Sequence, residues 1–176
     1  MIAAAGTGRT LGVVVEIPPP HGTALAAARA GLTPDAAEMP PHVTILAPID
    51  VDDDVVDEAI RHLEEVAERT PPFRLTLRGT GTFRPVSPVV FVAVAEGISD
   101  CEQLERDVRS GDLAVDTRFP YHPHVTIAHD VAEEELDRVF TELADYRASW
   151  TVGSMGLHEF RDGRWKLVRE FEFRGR

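Results

Sequence analysis

Cysteine and long apolar runs are scarce in this chain of 176 residues, and each scarcity excludes a class of protein. The single cysteine, Cys101, cannot form an internal disulfide framework or a cysteine-rich zinc site, which favours a reducing environment. No run approaches the roughly 18 apolar residues of a membrane-spanning helix, and the first residues lack the basic start of a signal peptide. We therefore expect a cytoplasmic protein that neither spans nor binds a membrane.

Positive charge is also scarce. Eighteen Lys and Arg residues stand against 30 Asp and Glu residues, which gives a formal charge of -12. A field of this sign repels polyanions, so broad binding of duplex DNA is excluded. A small anionic ligand in a local pocket stays compatible with this charge, because a few well-placed donors are enough to hold it. The 43% hydrophobic content suffices for one compact domain with a core.

The pentapeptide PHVTI occurs twice, at residues 41–45 and 123–127. About 10⁴ pairs of windows exist in such a chain and identity over five residues arises in roughly one pair in a million, so coincidence has odds of about one in a hundred. Its flanks repeat as well. Each copy follows an apolar β-branched run and an amphipathic segment, and a second amphipathic segment comes after it. The sequence therefore predicts a duplicated unit.

The predicted elements follow the same order in both halves. The strands are expected at Leu11–Ile17, Phe73–Leu77, Val89–Ala95, Trp150–Phe160 and Trp165–Phe173, with Asp162-Gly163 as a hairpin turn. The helices are expected at His21–Leu32, after Ser99 or Asp100 as the N-cap, from Val55 to Ala67, and from Leu136 to Ala144.

This order predicts an α+β fold that forms a single domain over residues 1–176. Its two lobes, about 1–88 and about 89–176, should place their sheets face to face across a central cleft, with the helices outside. On a strand, His42 and Thr44 point to one face while Val43 and Ile45 point into the core. The same alternation applies to His124 and Thr126, so two imidazoles and two hydroxyls should converge in the cleft.

Such a set suits displacement at phosphorus. Cleavage of a phosphodiester needs a base for the incoming oxygen and an acid for the leaving oxygen, and histidine can serve as either. Two histidines on opposite sides of one phosphate supply both roles without a metal. The hydroxyls of Thr44 and Thr126 can donate to the non-bridging oxygens and stabilise their charge.

The tetrapeptides His42-Val43-Thr44-Ile45 and His124-Val125-Thr126-Ile127 resemble the signature of the 2H phosphoesterases, which include 2′,3′-cyclic nucleotide phosphodiesterases and 2′-5′ RNA ligase-like proteins. The resemblance implies a bilobal pseudo-two-fold fold with two antiparallel sheets and no required cofactor or metal. It implies as substrate a small nucleotide or RNA end with a cyclic phosphate or 2′-5′ linkage, on a monomeric protein. By the same resemblance, His124 activates the water and His42 protonates the leaving ribose oxygen.

Two segments depart from that family. Many RNA ligase-like members have an aromatic residue shortly after the first motif and an arginine soon after the second. Here these segments read Leu46-Ala47-Pro48 and Ala128-His129-Asp130. Base stacking and a further phosphate contact are therefore less well supported than phosphoester chemistry.

Four further residues are candidates for substrate binding. The Tyr121 hydroxyl is a candidate hydrogen-bond donor to substrate, and its ring a candidate base-stacking surface, with packing as the alternative. Arg84 is a candidate phosphate contact beside Phe83 as a stacking surface, with a solvated turn as the alternative. His122 is expected at the cleft edge.

Two other functions stay open at this stage. One is a binding module that holds a nucleotide or RNA end without turnover. The other is a metallohydrolase that uses His122, His124 and His129, although this spacing lacks an accompanying carboxylate.

Overall fold

The computed structural model describes residues 8–33 and 39–176. This part of the chain contains eight strands and four α-helices. In chain order they are β1 (Gly8–Glu16), α1 (His21–Arg29), β2 (His42–Asp52), α2 (Val56–Arg69), β3 (Phe73–Thr82), β4 (Val89–Glu96), α3 (Ile98–Val108), β5 (His124–His129), α4 (Glu133–Glu142), β6 (Arg147–Val152), β7 (Ser154–Arg161) and β8 (Arg164–Glu172). Short 3₁₀ turns at Asp53–Val55 and Gly111–Leu113 complete the described elements.

The strands form two four-stranded sheets in the orders β2-β1-β7-β8 and β5-β4-β3-β6, and every pairing is antiparallel. The α+β class and the two antiparallel sheets expected from the sequence are thereby confirmed. In both sheets the PHVTI strand is an edge strand that pairs with the first strand of its own half. The pseudo-two-fold arrangement of the duplicated unit is therefore visible in the strand order.

The strands do not divide between the sheets at residue 88. β3 comes from the first half of the chain and pairs with β4, whereas β7 comes from the second half and pairs with β1. The segment predicted as one strand, Trp150–Phe160, is interrupted at Gly153, so that β6 belongs to one sheet and β7 to the other. Each sheet therefore contains strands from both halves of the chain, which interlocks the two halves.

The helices also cross between the halves. α1 follows β1 but contacts β5, and α3 follows β4 but contacts β2. The predicted apolar stripe of α2 is buried at Ala59, Leu63 and Val66, each 0% exposed. In α4, Leu136 is buried but Phe140 is 37% exposed, so that part of the predicted stripe faces outward. None of the helices in the described ranges is both long and apolar enough to cross a membrane.

Two boundaries show how local chemistry shapes the elements. α3 begins at Ile98 directly after Gly97, so Ser99 and Asp100 lie in its first turn and neither is the N-cap that the sequence predicted. The Asp162-Gly163 turn is confirmed, with φ values of 55° and 77°. Positive φ at both positions is the geometry of a tight hairpin, which joins β7 to β8.

Candidate active site

The two PHVTI strands expose their histidines and threonines on one side and bury their apolar residues on the other. Val43, Val125 and Ile127 are 0% exposed and Ile45 is 2% exposed, whereas the four polar residues between them are partly accessible. β2 and β5 contact each other across the two sheets. The structure therefore brings His42, Thr44, His124 and Thr126 towards one cleft between the sheets.

Both histidine rings are held by the backbone that precedes them. His42 Nδ1 donates to the Pro40 carbonyl at 2.8 Å, and His124 Nδ1 donates to the His122 carbonyl at 2.7 Å. A carbonyl oxygen only accepts, so the proton of each neutral ring is on Nδ1. The Nε2 of each ring makes no hydrogen bond to the described residues and is left for a ligand or a proton.

Burial disfavours the protonated, charged form of both rings. Desolvation, together with smaller contributions from the charges of Arg29, His158 and His124, lowers the pKa of His42 to about 4. Desolvation also lowers the pKa of His124, and the charge of neighbouring His122 adds to this effect. The two rings interact electrostatically and are both neutral at pH 7 before an anion binds.

The hydroxyls of Thr44 and Thr126 make no hydrogen bond to any residue within 8–33 or 39–176. Each lies two positions after its histidine, on the same strand face. Each can therefore donate to an oxygen of an anion that lies between the histidines.

Tyr121 connects the two halves of the site. Its hydroxyl donates to the Thr44 backbone carbonyl at 2.8 Å, and its ring packs against the core. Burial raises the pKa of this phenol. This hydrogen bond engages the hydroxyl proton of Tyr121 and joins the loop before β5 to strand β2.

Phe83 reaches the site together with Phe91, which lies in the predicted strand Val89–Ala95 and was not among the candidate site residues. Phe83 meets His124 edge-on at 5.0 Å between ring centroids, and Phe91 lies 5.2 Å from the same ring. His122 joins this cluster at 5.5 Å from Phe83 and 5.3 Å from Phe91, with its own side chain exposed at the edge. The aromatic wall explains the desolvation of His124. Pairing of Phe91 with Thr126 across β4 and β5 is what turns its ring into the cleft.

Arg84 does not join these residues. Its guanidinium donates to Glu133 at 2.7 Å and to Asp137 at 2.8 Å, both on α4, and these carboxylates raise its pKa. The proposed phosphate contact is corrected accordingly: the positive charge of Arg84 is neutralised outside the cluster, because the turn after β3 aims its side chain at α4.

Arg29 and His158 lie close enough to His42 to affect its pKa, and neither was a sequence candidate. Arg29, at the end of α1, donates to the Met39 carbonyl and has no carboxylate partner among the described residues. His158 on β7 is 5% exposed. No local sequence pattern distinguishes either of them from ordinary surface or strand residues.

The three-histidine metal hypothesis finds no matching geometry. His129 pairs with Asp130 at 3.1 Å, His122 is exposed, and His124 lies among aromatic rings. Within residues 8–33 and 39–176, no group of three or more His, Cys, Asp or Glu side chains is arranged to hold a metal ion.

Comparison with known proteins identifies a family and several relatives. The sequence model of the 2′-5′ RNA ligase superfamily matches residues 17–164. A Bacillus licheniformis protein, whose name gives phosphoesterase as its proposed activity, is 31% identical over 141 residues, which cover 78% of this chain and 83% of the relative. A similarly named Geobacillus kaustophilus protein is 28% identical over 138 residues, which cover 77% of this chain and 79% of that protein.

Solved structures share the fold. The Thermus thermophilus protein TT0787 superposes with a TM-score of 0.68 at 22% identity, over 94% of this chain and 98% of that one. E. coli LigT in complex with 3′-AMP superposes with a TM-score of 0.69 at 21% identity, with the same coverage of 94% and 98%.

Proposed function

Because the chain belongs to the 2′-5′ RNA ligase superfamily, we propose that it is a metal-independent phosphodiesterase that hydrolyses a 2′,3′-cyclic phosphate on a nucleotide or RNA end. The observation that carries this proposal is the matched pair His42 and His124. Both Nδ1 atoms donate hydrogen bonds to backbone carbonyls, at 2.8 and 2.7 Å, and neither Nε2 atom makes a hydrogen bond to a described residue. General acid and base catalysis at one phosphate needs two such groups.

The proposed step is an in-line displacement. His124 takes a proton from a water molecule as its oxygen forms a bond to phosphorus. The bond between phosphorus and one ribose oxygen breaks, and His42 donates its proton to that oxygen. The result is a nucleoside monophosphate, a protonated His124 and a neutral His42, and proton exchange with solvent restores the starting state.

His42 must be protonated in this step although its pKa is about 4 in the free protein. A bound cyclic phosphate carries a negative charge, and an anion close to an imidazole raises the imidazole pKa. Substrate binding therefore supplies part of the charge balance that the buried site lacks. The same desolvation strengthens hydrogen bonds from the hydroxyls of Thr44 and Thr126 to the phosphate oxygens.

Arg29 provides positive charge on the His42 side. Its charge acts on His42, and its guanidinium is anchored to the Met39 carbonyl without a carboxylate partner in the described part of the chain. We assign it an electrostatic role towards the bound phosphate. The formal charge of -12 favours short substrates and chain ends over long RNA.

The test is a panel of 2′,3′-cyclic nucleotides and 2′-5′-linked dinucleotides incubated with the protein in the presence of EDTA. We expect conversion to monophosphates under these conditions. Activity that disappears in EDTA and returns with zinc would indicate a metallohydrolase instead. Saturable binding of every panel member without turnover would indicate a binding module.

A further inference from the structure

One side of His124 is bordered by three aromatic rings. Phe83, Phe91 and His122 lie 5.0, 5.2 and 5.7 Å from its ring, measured between centroids, and we call these three residues the aromatic wall. These separations are those of rings in contact. The proposed proton transfers use His124 and leave the aromatic wall without a role of its own.

The three rings of the aromatic wall differ in their exposure. Phe91 is 5% exposed and lies at the back, Phe83 is half-buried, and His122 is exposed at the outer edge. The rings of His122 and Phe83 are inclined at 79°, so they form a corner next to His124. A flat ring fits such a corner when it stacks on one side and meets the other side with its edge.

The backbone fixes this corner before a ligand binds. The Phe83 N–H donates to the Val89 carbonyl at 3.2 Å, and the Phe83 carbonyl accepts a hydrogen bond from the Ser87 N–H at 3.1 Å. Gly81 leaves room for the ring of Phe91, since a Cβ at residue 81 would lie 2.5 Å from Phe91 Cζ. A wall that is already ordered loses little conformational entropy when it binds a ligand.

The charges behind the aromatic wall favour an uncharged ligand group. Arg84 follows Phe83 directly, but its guanidinium donates to both Glu133 and Asp137, at 2.7 and 2.8 Å. Two carboxylates therefore surround one cation, and this balance disfavours a second phosphate next to Phe83. An uncharged aromatic base has no such penalty.

We infer that the aromatic wall is a nucleobase subsite: the base of the substrate stacks on His122, with Phe83 along its edge, while the phosphate lies between His42 and His124. This inference rests on the proposed function and names where the substrate's base lies. In a 2′,3′-cyclic phosphate the phosphorus is bonded to two oxygens of one ribose, so the ribose lies beside the phosphate. The base is one ribose away from the phosphate and therefore reaches rings that adjoin His124, while the leaving oxygen faces His42.

The subsite should discriminate weakly between bases. Stacking uses the flat face that every base has, so both purines and pyrimidines should bind. The larger face of a purine covers more of the His122 ring, which predicts a lower KM for adenosine 2′,3′-cyclic phosphate than for the uridine compound. A cyclic phosphate without a base should bind more weakly than either.

A substrate without a base tests the inference directly. We expect the parent protein to hydrolyse adenosine 2′,3′-cyclic phosphate with a kcat/KM roughly 5- to 150-fold above that for methyl ribofuranoside 2,3-cyclic phosphate, the range of one base stack. His122→Ala should reduce this ratio through a higher KM for the nucleotide and keep kcat/KM for the base-free compound close to the parent value. His122→Phe retains a flat ring without the imidazole nitrogens, so it should keep the parent ratio.

His21→Ala is the matched control, because the His21 ring contacts Trp150 on β6, at the edge of the sheet opposite to β5. This variant should keep the parent kcat/KM for both substrates. Far-ultraviolet circular dichroism verifies the folding of each variant.

The outcomes separate the two proposals. Equal kcat/KM for both substrates in the parent, or an unchanged ratio in His122→Ala, would overturn the inference, while turnover of both substrates leaves the proposed function standing. A ratio reduced equally in His122→Ala and His122→Phe would also overturn the inference, since the imidazole nitrogens rather than a stacked ring would then bind the nucleotide. Turnover of neither substrate by the parent would overturn both proposals.

Discussion

His42 and His124 make the same backbone hydrogen bond, in which each Nδ1 donates to the carbonyl two positions earlier, at 2.8 Å and 2.7 Å. The bond selects the same tautomer in both rings. What distinguishes the two histidines is their surroundings: Phe83 and Phe91 border His124, whereas the charge of Arg29 acts on His42. The local geometry is symmetric, and the environment provides the difference that an acid and a base require.

Removal of either ring should abolish most turnover. We expect His42→Ala and His124→Ala each to lower kcat by roughly 10²- to 10⁴-fold, with the fold retained, because each loses one proton-transfer group. His62→Gln is the matched control, since His62 bonds the Asp107 and Val108 carbonyls at 3.0 and 3.1 Å. That variant should lose stability and keep its turnover. Full activity in a variant that carries both His42→Ala and His124→Ala would reject the mechanism.

The pH dependence should reveal the lowered imidazole pKa values. The productive form carries one proton beyond the two Nδ1 protons of the neutral rings, and its population is greatest between the two apparent pKa values of the pair. Since both lie below 6.5 in the free protein and that of His42 is about 4, kcat/KM should be maximal at acidic pH. Bound phosphate raises these pKa values, so the kcat maximum should lie at higher pH. Rates measured from about pH 4 to about pH 9 check this, and coincident maxima above 6.5 would contradict it.

Stability should fall as the pH is lowered through the same range. Between 6.5 and about 4 an unfolded chain protonates His42 while the folded protein does not, so the unfolded state gains protons and stability decreases towards acid. His42 alone accounts for about 3 kcal/mol of this loss once the pH is below about 4. Urea titrations across this range should show a shallower decline for His42→Gln. An unchanged slope in that variant would contradict burial of the neutral ring.

Tyr121→Phe separates positioning from substrate contact. Loss of the 2.8 Å hydrogen bond to the Thr44 carbonyl should lower the free energy of unfolding by about 1 kcal/mol. KM for a cyclic nucleotide should stay near the parent value, because the hydroxyl is engaged by the protein. A large rise in KM with unchanged stability would restore the direct substrate role.

Gly81→Ala should affect the cleft through Phe91. A Cβ at residue 81 would lie 2.5 Å from Phe91 Cζ, so the ring must move. Phe91 borders His124 at 5.2 Å, and its displacement should change the environment of that imidazole. We expect a shifted pH profile together with reduced kcat. Gly153→Ala serves as control, since a Cβ there meets nothing within 4 Å. A Gly81→Ala variant with the parent pH profile would contradict the coupling.

Much of the architecture could be predicted because it depends on local periodicity. The alternation in PHVTI identified which side chains leave the core, and burial of Val43 and Val125 at 0% exposure confirms it. The apolar spacing of α2 and the Asp162-Gly163 turn were recognisable for the same reason. The partner of each strand was not, because pairing joins residues far apart in sequence: β7 with β1, and β6 with β3.

The sequence by itself determined the two histidines, the two threonines and the strand faces that carry them, because a two-residue repeat is a property of the local backbone. Only the tertiary structure decided what surrounds them. It brought Phe91, Arg29 and His158 near the histidines and directed Arg84 to α4. The pKa of an imidazole depends on burial and on charges contributed by other elements, so the chemistry of this cleft is a product of strand and helix exchange between the two halves.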